Sequence, residues 1–365
     1  MASDHCVVPR QQVAEQTDSM PKEINEDRRS FFGKMMMAMA AARVGLNGIS
    51  NADVSEVSNR DGIMQTSSSG SFDSLKQIDA GALSVGYAEA GPANGQPVIL
   101  LHGWPYDIHA YAEVAPLLAA RGYRVIVPYL RGYGTTRFLS ADTLRNGEQA
   151  VIAVDVIALM DALKIQKAIV GGFDWGSRTA AIMAALWPDR VKALVAVSGY
   201  LIVNLKANLQ PLPPKAELGW WYQYYFATER GVLGYTANTS DFNKLIWQIA
   251  SPKWKFDDAT YGRTAASFNN PDHVKIVIHN YRWRLSIAEG EAKYADLEQK
   301  LFAGPPISVP TITIASDFDG AAADGKAYAG KFTGKYSHRV LNGIGHNVPQ
   351  EDPQSFAKAI VDVDG

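Results

Sequence analysis

The stretch from Lys167 to Pro188 constrains this chain more than any other. A short apolar run, Lys167-Ala168-Ile169-Val170, enters Gly171-Gly172-Phe173-Asp174-Trp175-Gly176-Ser177-Arg178. A small-residue helical pattern leaves it from Thr179 to Leu186 and stops at Trp187-Pro188. The spacing therefore predicts strand, tight turn, helix. The turn has small residues on either side of Asp174, and a helix N-terminus beside it favours a negative charge. Taken alone, small-x-Asp-x-small also describes an ordinary N-cap aspartate, so the rest of the chain must decide.

The 365 residues suffice for a large α/β domain with an insertion, and 47% of them are hydrophobic. A net charge of −2 without a basic stripe argues against a nucleic-acid surface. Cys6 is the only cysteine, which excludes an intrachain disulfide and a cysteine-based metal site. No apolar run has the length of a membrane span, and there is no internal repeat.

Residues 1–70 read as a tail and linker. Asp27-Arg28-Arg29-Ser30-Phe31-Phe32-Gly33-Lys34, followed by an alanine- and methionine-rich run, resembles a twin-arginine export signal. Glu23, Glu26, Asp27 and Arg43 run against that pattern. The expected location is the periplasm or outside the cell, and otherwise the cytoplasm. Cleavage would also remove Cys6.

From residue 71 on, strand and helix alternate. Leu75–Ile78 and Leu83–Ala88 read as a hairpin. Pro97–Leu101, Arg124–Val127 and Ala193–Val197 read as buried parallel strands. Ile108–Ala120 and Gly147–Leu163 have helical spacing. The alternation predicts a parallel, doubly wound sheet built from 71–199 and 306–365. Between them, 200–305 is aromatic-rich and helical, and reads as an inserted cap. Val309–Ala315 and Ser337–Leu341 complete the strands. Gly325–Phe332 and Pro353–Val361 are the closing helices expected around them.

Three strand ends carry candidate chemistry. Asp174 follows one strand. Ser316-Asp317-Phe318-Asp319-Gly320 follows another and offers a carboxylate to hold a histidine in one tautomer. Gly343-Ile344-Gly345-His346-Asn347 places a histidine where it can act as a base. The order nucleophile, acid, histidine is that of the α/β hydrolases.

Together these motifs resemble the α/β hydrolases with an aspartate nucleophile, closest to the epoxide hydrolases, over about residues 75–363. The resemblance implies a mostly parallel eight-stranded sheet with a helical cap. It implies a triad of Asp174, Asp319 and His346, with Asp317 the other candidate acid. His102-Gly103-Trp104-Pro105 matches that family's His-Gly-x-Pro, which implies an oxyanion hole from the N–H groups of Trp104 and Trp175. Tyr222-Gln223-Tyr224-Tyr225-Phe226 and Asn280-Tyr281-Arg282 resemble its two cap segments. They point to Tyr222 and Tyr281 as donors to the epoxide oxygen, although neighbouring aromatic residues offer other registers. A carboxylate is already ionised at neutral pH and attacks sp³ carbon to give an alkyl ester. Water activated by His346 would then release a vicinal diol. The expected partners are a bulky apolar epoxide and water, with no cofactor and no metal; His102 and His109 have no carboxylates at ligand spacing.

A haloalkane or haloacid dehalogenase using the same ester route is the nearest rival, with Trp175 available to hold a halide. Arg178 stands where a haloacid enzyme carries one of two substrate-gripping arginines, but Trp175 takes the place of the other. Arg178 is accordingly read as a structural helix arginine. A non-catalytic ligand-binding relative is a further rival. A serine esterase is disfavoured, because Ser177 lies three residues past the turn centre.

Overall fold

The computed structural model describes Phe72 and residues 74–365; the twin-arginine stretch lies outside the described residues. The strands are β1 (Leu75–Ala80), β2 (Leu83–Ala90), β3 (Gln96–Leu101), β4 (Tyr123–Pro128), β5 (Arg137–Phe138), β6 (Ala168–Gly172), β7 (Val191–Val197), β8 (Thr311–Ser316) and β9 (Tyr336–Leu341). They form one sheet in the order β1-β2-β4-β3-β6-β7-β8-β9, and the two-residue β5 hangs off β2. β1 and β2 pair antiparallel, as does β2 with β4. From β4 to β9 every neighbour is parallel. The apolar runs explain the centre: Val98–Leu101, Ala168–Val170 and Leu194–Val197 are fully buried, as parallel strands covered on both faces must be.

Helices α1 (Val114–Ala119), α2 (Gln149–Ala162) and α3 (Trp175–Leu186) follow β3, β5 and β6. α3 packs on α2, β6 and β7. From β3 the chain steps to β4 on one side, then crosses back through α2 to β6 on the other, so β3 and β6 lie side by side, with Leu101 opposite Gly172. That reversal opens a crevice at the strands' carboxyl ends. β3 delivers His102-Gly103-Trp104 to it and β6 delivers Phe173-Asp174-Trp175.

Between β7 and β8 the chain is helical. Its longer pieces include α4 (Trp221–Ala227), α5 (Glu229–Ala237), α6 (Thr239–Ala250), α7 (His273–Arg284) and α8 (Ala295–Phe302). This insertion is tied to the crevice by polar contacts. The Trp247 indole donates to the Pro105 carbonyl at 2.8 Å, and His273 Nδ1 meets the Gly132 carbonyl at 3.0 Å. The closing helix α9 (Pro353–Asp364) packs on α1 and on β7.

Two expected helices differ. Ile108–Ala120 is split into a 3-10 turn, Ile108–Tyr111, and α1. Pro116 has no N–H, so it fits only the first turn of a helix, and α1 starts at Val114. The helix expected over Gly325–Phe332 is absent, and a 3-10 turn at Ala329–Lys331 stands in its place. Gly325 has a positive φ of 68°, and Gly330 adds backbone freedom; two glycines in eight residues outweigh the apolar spacing.

Candidate active site

Asp174 has φ 52° and ψ −122°, a conformation that L-residues adopt at a cost on the order of 1–3 kcal/mol. The turn accepts no bulk beside it. A Cβ on Gly176 would stand 1.8 Å from the Leu101 carbonyl oxygen, and one on Gly172 would stand 2.3 Å from Gly176. Tight packing against β3 therefore forces the Asp174 side chain outward into the crevice.

There the carboxylate meets its partners. The Trp104 N–H donates to Asp174 Oδ1 at 2.8 Å. His346 Nε2 lies 3.5 Å from Oδ2. Burial pushes this carboxyl up, but contact with His346, the charge of Arg178 and the Trp175 N–H outweigh it, and the group is held below the usual carboxylate range. It is thus an anion at neutral pH, with backbone donors aimed at its oxygen.

Aromatic rings from the insertion close over it. Trp104 packs against Tyr222 and Tyr281, with ring centroids 5.0 and 5.1 Å away, and the two tyrosine rings are 5.3 Å apart. Both phenols are buried, and burial together with the nearby Asp174 charge raises both well above 10, so they remain proton donors at any physiological pH. Tyr222 comes from α4 and Tyr281 from α7, and the structure brings both against Trp104, whose N–H holds Asp174. His102 braces the floor: its Nε2 accepts from the Leu130 N–H at 3.2 Å, and burial lowers its pKa to about 4. Neutral, it serves as a structural acceptor.

The expected acid is not brought to His346. Asp319 lies just past β8, but its Oδ2 accepts the Ser316 N–H at 2.8 Å, within a capping box. Asp317 is bonded to Lys253 at 2.6 Å and to the Gly343 N–H at 3.1 Å. Between them Phe318 packs on the imidazole, with centroids 4.2 Å apart, and the buried His346 Nδ1 has no hydrogen-bond partner among the described residues.

Two participants escaped the sequence reading. The Trp104 indole donates to Tyr235 Oη at 2.9 Å, and Tyr235 bonds in turn to Asn243 and His273. Arg284 sits with its guanidinium 5.4 Å from the Tyr281 ring centroid. Its i, i+3 spacing from Tyr281 on α7 was the available signal. Tyr235 left none beyond general aromatic richness. Around His109, which the sequence left without a partner, Asp107 accepts from Nδ1 at 2.9 Å and joins the 3-10 turn to Thr264 of the insertion. No group of three or more potential metal ligands occurs among the described residues.

Comparison with known proteins agrees with this architecture. Residues 96–237 match the α/β hydrolase fold family. A solved structure from Klebsiella pneumoniae subsp. pneumoniae MGH 78578 is 61% identical, covers 81% of this chain and 99% of that one, and superposes with a TM-score of 0.79. The chain belongs to the α/β hydrolases. The Klebsiella hydrolase is described as an epoxide hydrolase by provisional assignment. Epoxide hydrolase B of Mycobacterium tuberculosis is 32% identical over 152 residues, covering 38% of this chain and 42% of that protein. A haloalkane dehalogenase of Mycobacterium marinum is 35% identical over 127 residues, covering 34% of this chain and 41% of that hydrolase. The match thus spans about two-fifths of the length of these two curated relatives.

Proposed function

We propose that this chain is an epoxide hydrolase, with the helical insertion acting as its cap. The observation that carries the reading is one half-buried carboxylate beside two buried phenols: Asp174 is held by the N–H of Trp104, whose ring packs against Tyr222 and Tyr281. An epoxide needs an anion at carbon and a proton at oxygen, and these groups supply both.

In the first step a carboxylate oxygen of Asp174 bonds to an epoxide carbon. The C–O bond breaks, and the departing oxygen takes a proton from Tyr222 or Tyr281, leaving an ester on Asp174. In the second step His346 removes a proton from water as the water oxygen attacks Asp174 Cγ. The N–H groups of Trp104 and Trp175 hold the tetrahedral oxyanion, each worth about 3 kcal/mol. Collapse releases the diol oxygen, which takes its proton from the His346 cation, and the proton left on the Asp174 carboxyl returns to the tyrosinate of the first step, restoring carboxylate and phenol. Asp319 is proposed as the group that steadies the His346 cation, which requires its carboxylate to leave the Ser316 N–H.

A second reading, halide displacement by the same ester route, is favoured by one observation: the buried Trp175 indole N–H has no partner among the described residues. A single turnover of an aryl epoxide in ¹⁸O-water separates the possibilities. Unlabelled diol, with label in the peptide carrying Asp174, supports the ester route on epoxides. Label in the first-turnover diol removes Asp174 as nucleophile. No diol, with halide released from a haloalkane, supports the second reading.

A further inference from the structure

The buried Nδ1 of His346 has no hydrogen-bond partner among the described residues, so no acid there aims the ring. Phe318 packs on it, but an apolar contact is non-directional and does not choose where the nitrogens point. What remains to aim the imidazole is the loop that carries it, residues 343–347. The His346 N–H reaches Ser251 Oγ at 2.9 Å and the Ala250 carbonyl at 3.2 Å, both at the end of α6 in the insertion. Gly345 makes this approach possible, because a Cβ there would stand 2.5 Å from Ser251 Oγ. Ser251 in turn donates to Glu351 Oε1 at 2.6 Å. The same carboxylate accepts the Gly345 N–H on Oε2 at 2.7 Å and the Asn347 N–H on Oε1 at 3.0 Å.

One hydroxyl and one carboxylate thus take the N–H groups on His346 and on both its neighbours. Each bond is to backbone, so together they fix the Cα from which the imidazole springs. The same stretch of α6 also reaches the other loop of the site. Trp247, one turn before Ser251, donates from its indole to the Pro105 carbonyl at 2.8 Å, next to Trp104. A single helical turn of the insertion therefore touches both the loop that holds Asp174 and the loop that carries His346.

We propose that Ser251 and Glu351 are positioning residues for His346. They hold its backbone so that Nε2 faces the Asp174 carboxyl, 3.5 Å away, and with it the carbon that water attacks in the ester. The proposal rests on the ester route of the epoxide hydrolase reading and names what aims its base. The insertion then serves the second step through Ser251, as it serves the first through its phenols.

The test is a single turnover of an aryl epoxide on the full-length protein. Stopped-flow tryptophan fluorescence separates ester formation from ester hydrolysis, and mass spectrometry of the Asp174 peptide follows the ester. Glu351→Gln keeps the side chain's shape but turns one acceptor oxygen into a donor. Ester hydrolysis is expected to slow by about 10²-fold, the effect of a misplacement of roughly 1 Å. Ester formation should stay near the parent rate, so ester accumulates. Ser251→Ala removes only the hydroxyl and is expected to slow the same phase. The double variant should slow it by less than the product of the two, because both act through one clamp. Parent-rate hydrolysis in both single variants, or equal slowing of both phases, overturns the proposal and leaves the clamp a support of the fold. If the wild type forms neither ester nor diol, the epoxide reading fails, and amide hydrogen exchange decides the clamp separately. Faster exchange across residues 343–350 in Glu351→Gln, with 98–106 and 168–178 unchanged, supports it, and unchanged exchange across 343–350 overturns it.

Discussion

At the scale of single residues, the proposed mechanism divides the reaction between Asp174 and His346. In that proposal the Asp174 carboxyl, held low, attacks without help, and His346, 3.5 Å from it, is needed only for the water. His346→Gln is therefore expected to form the ester and stall there. Mass spectrometry after one addition of epoxide would find the Asp174 peptide heavier by the mass of the substrate. An unmodified peptide, together with lost turnover, would assign His346 to the first step instead. The acid can be sorted the same way. If Asp319 steadies the imidazolium, Asp319→Asn accumulates ester, with deacylation slowed on the order of 10²–10⁴-fold. Asp317→Asn, which loses a surface pair with Lys253, should deacylate at the parent rate. The reverse pattern would move the role to Asp317. The sequence named both carboxylates because each follows the strand by one or three residues. It did not disclose the capping box, which depends on where the Ser316 backbone points and not on residue type.

At the scale of elements, the insertion is latched to the core through a carboxylate. Glu298 on α8 accepts from the Ala150 N–H at 2.8 Å and from Gln149 Nε2 at 3.0 Å, filling the N-terminus of α2. Burial raises its pKa to about 7, against the hydrogen bonds that favour its anion. The unfolded side chain loses its proton near 4.3. Between these values the folded protein binds more protons than the unfolded chain, so stability falls as pH rises through that window and levels off above about 7. Glu298→Gln cannot titrate. Tm recorded from pH 5 to 8 should decline in the wild type relative to the variant, by on the order of 2 kcal/mol in stability over the window. Parallel curves would show that Glu298 is ionised throughout. The element boundaries themselves were largely readable. Continuous apolar runs marked β3 and β6, and Pro353 marked the start of α9. The Gly325–Phe332 segment misled because its apolar spacing suits a helix, while its glycines permit the turn that was formed.

At the scale of the whole molecule, the site exists only where sheet and insertion meet. Trp104 follows β3, and Asp174 and Trp175 follow β6, whereas Tyr222 and Tyr281 come from α4 and α7, tens of residues later in the chain. Tyr222→Phe and Tyr281→Phe should each slow ring opening by about 10²-fold, and the double variant by more, while leaving hydrolysis of a preformed Asp174 ester near the parent rate. Stopped-flow tryptophan fluorescence separates the two phases. An equal loss in both would make the rings packing residues only. Motif spacing picked out Asp174, His346, Trp104 and the two tyrosines as candidates, which the structure brings together, because they sit at strand ends and in short cap patterns. Tyr235 was hidden because its partners Trp104 and His273 lie far from it in sequence. The backbone at Asp174 has one more consequence. At its positive φ, the side chain that would suit the chain's own folding best is none at all. Drift under selection for stability alone would carry that codon toward glycine. On the proposed mechanism, an aspartate there, charged, hemmed in and strained, is a position that only chemistry can keep.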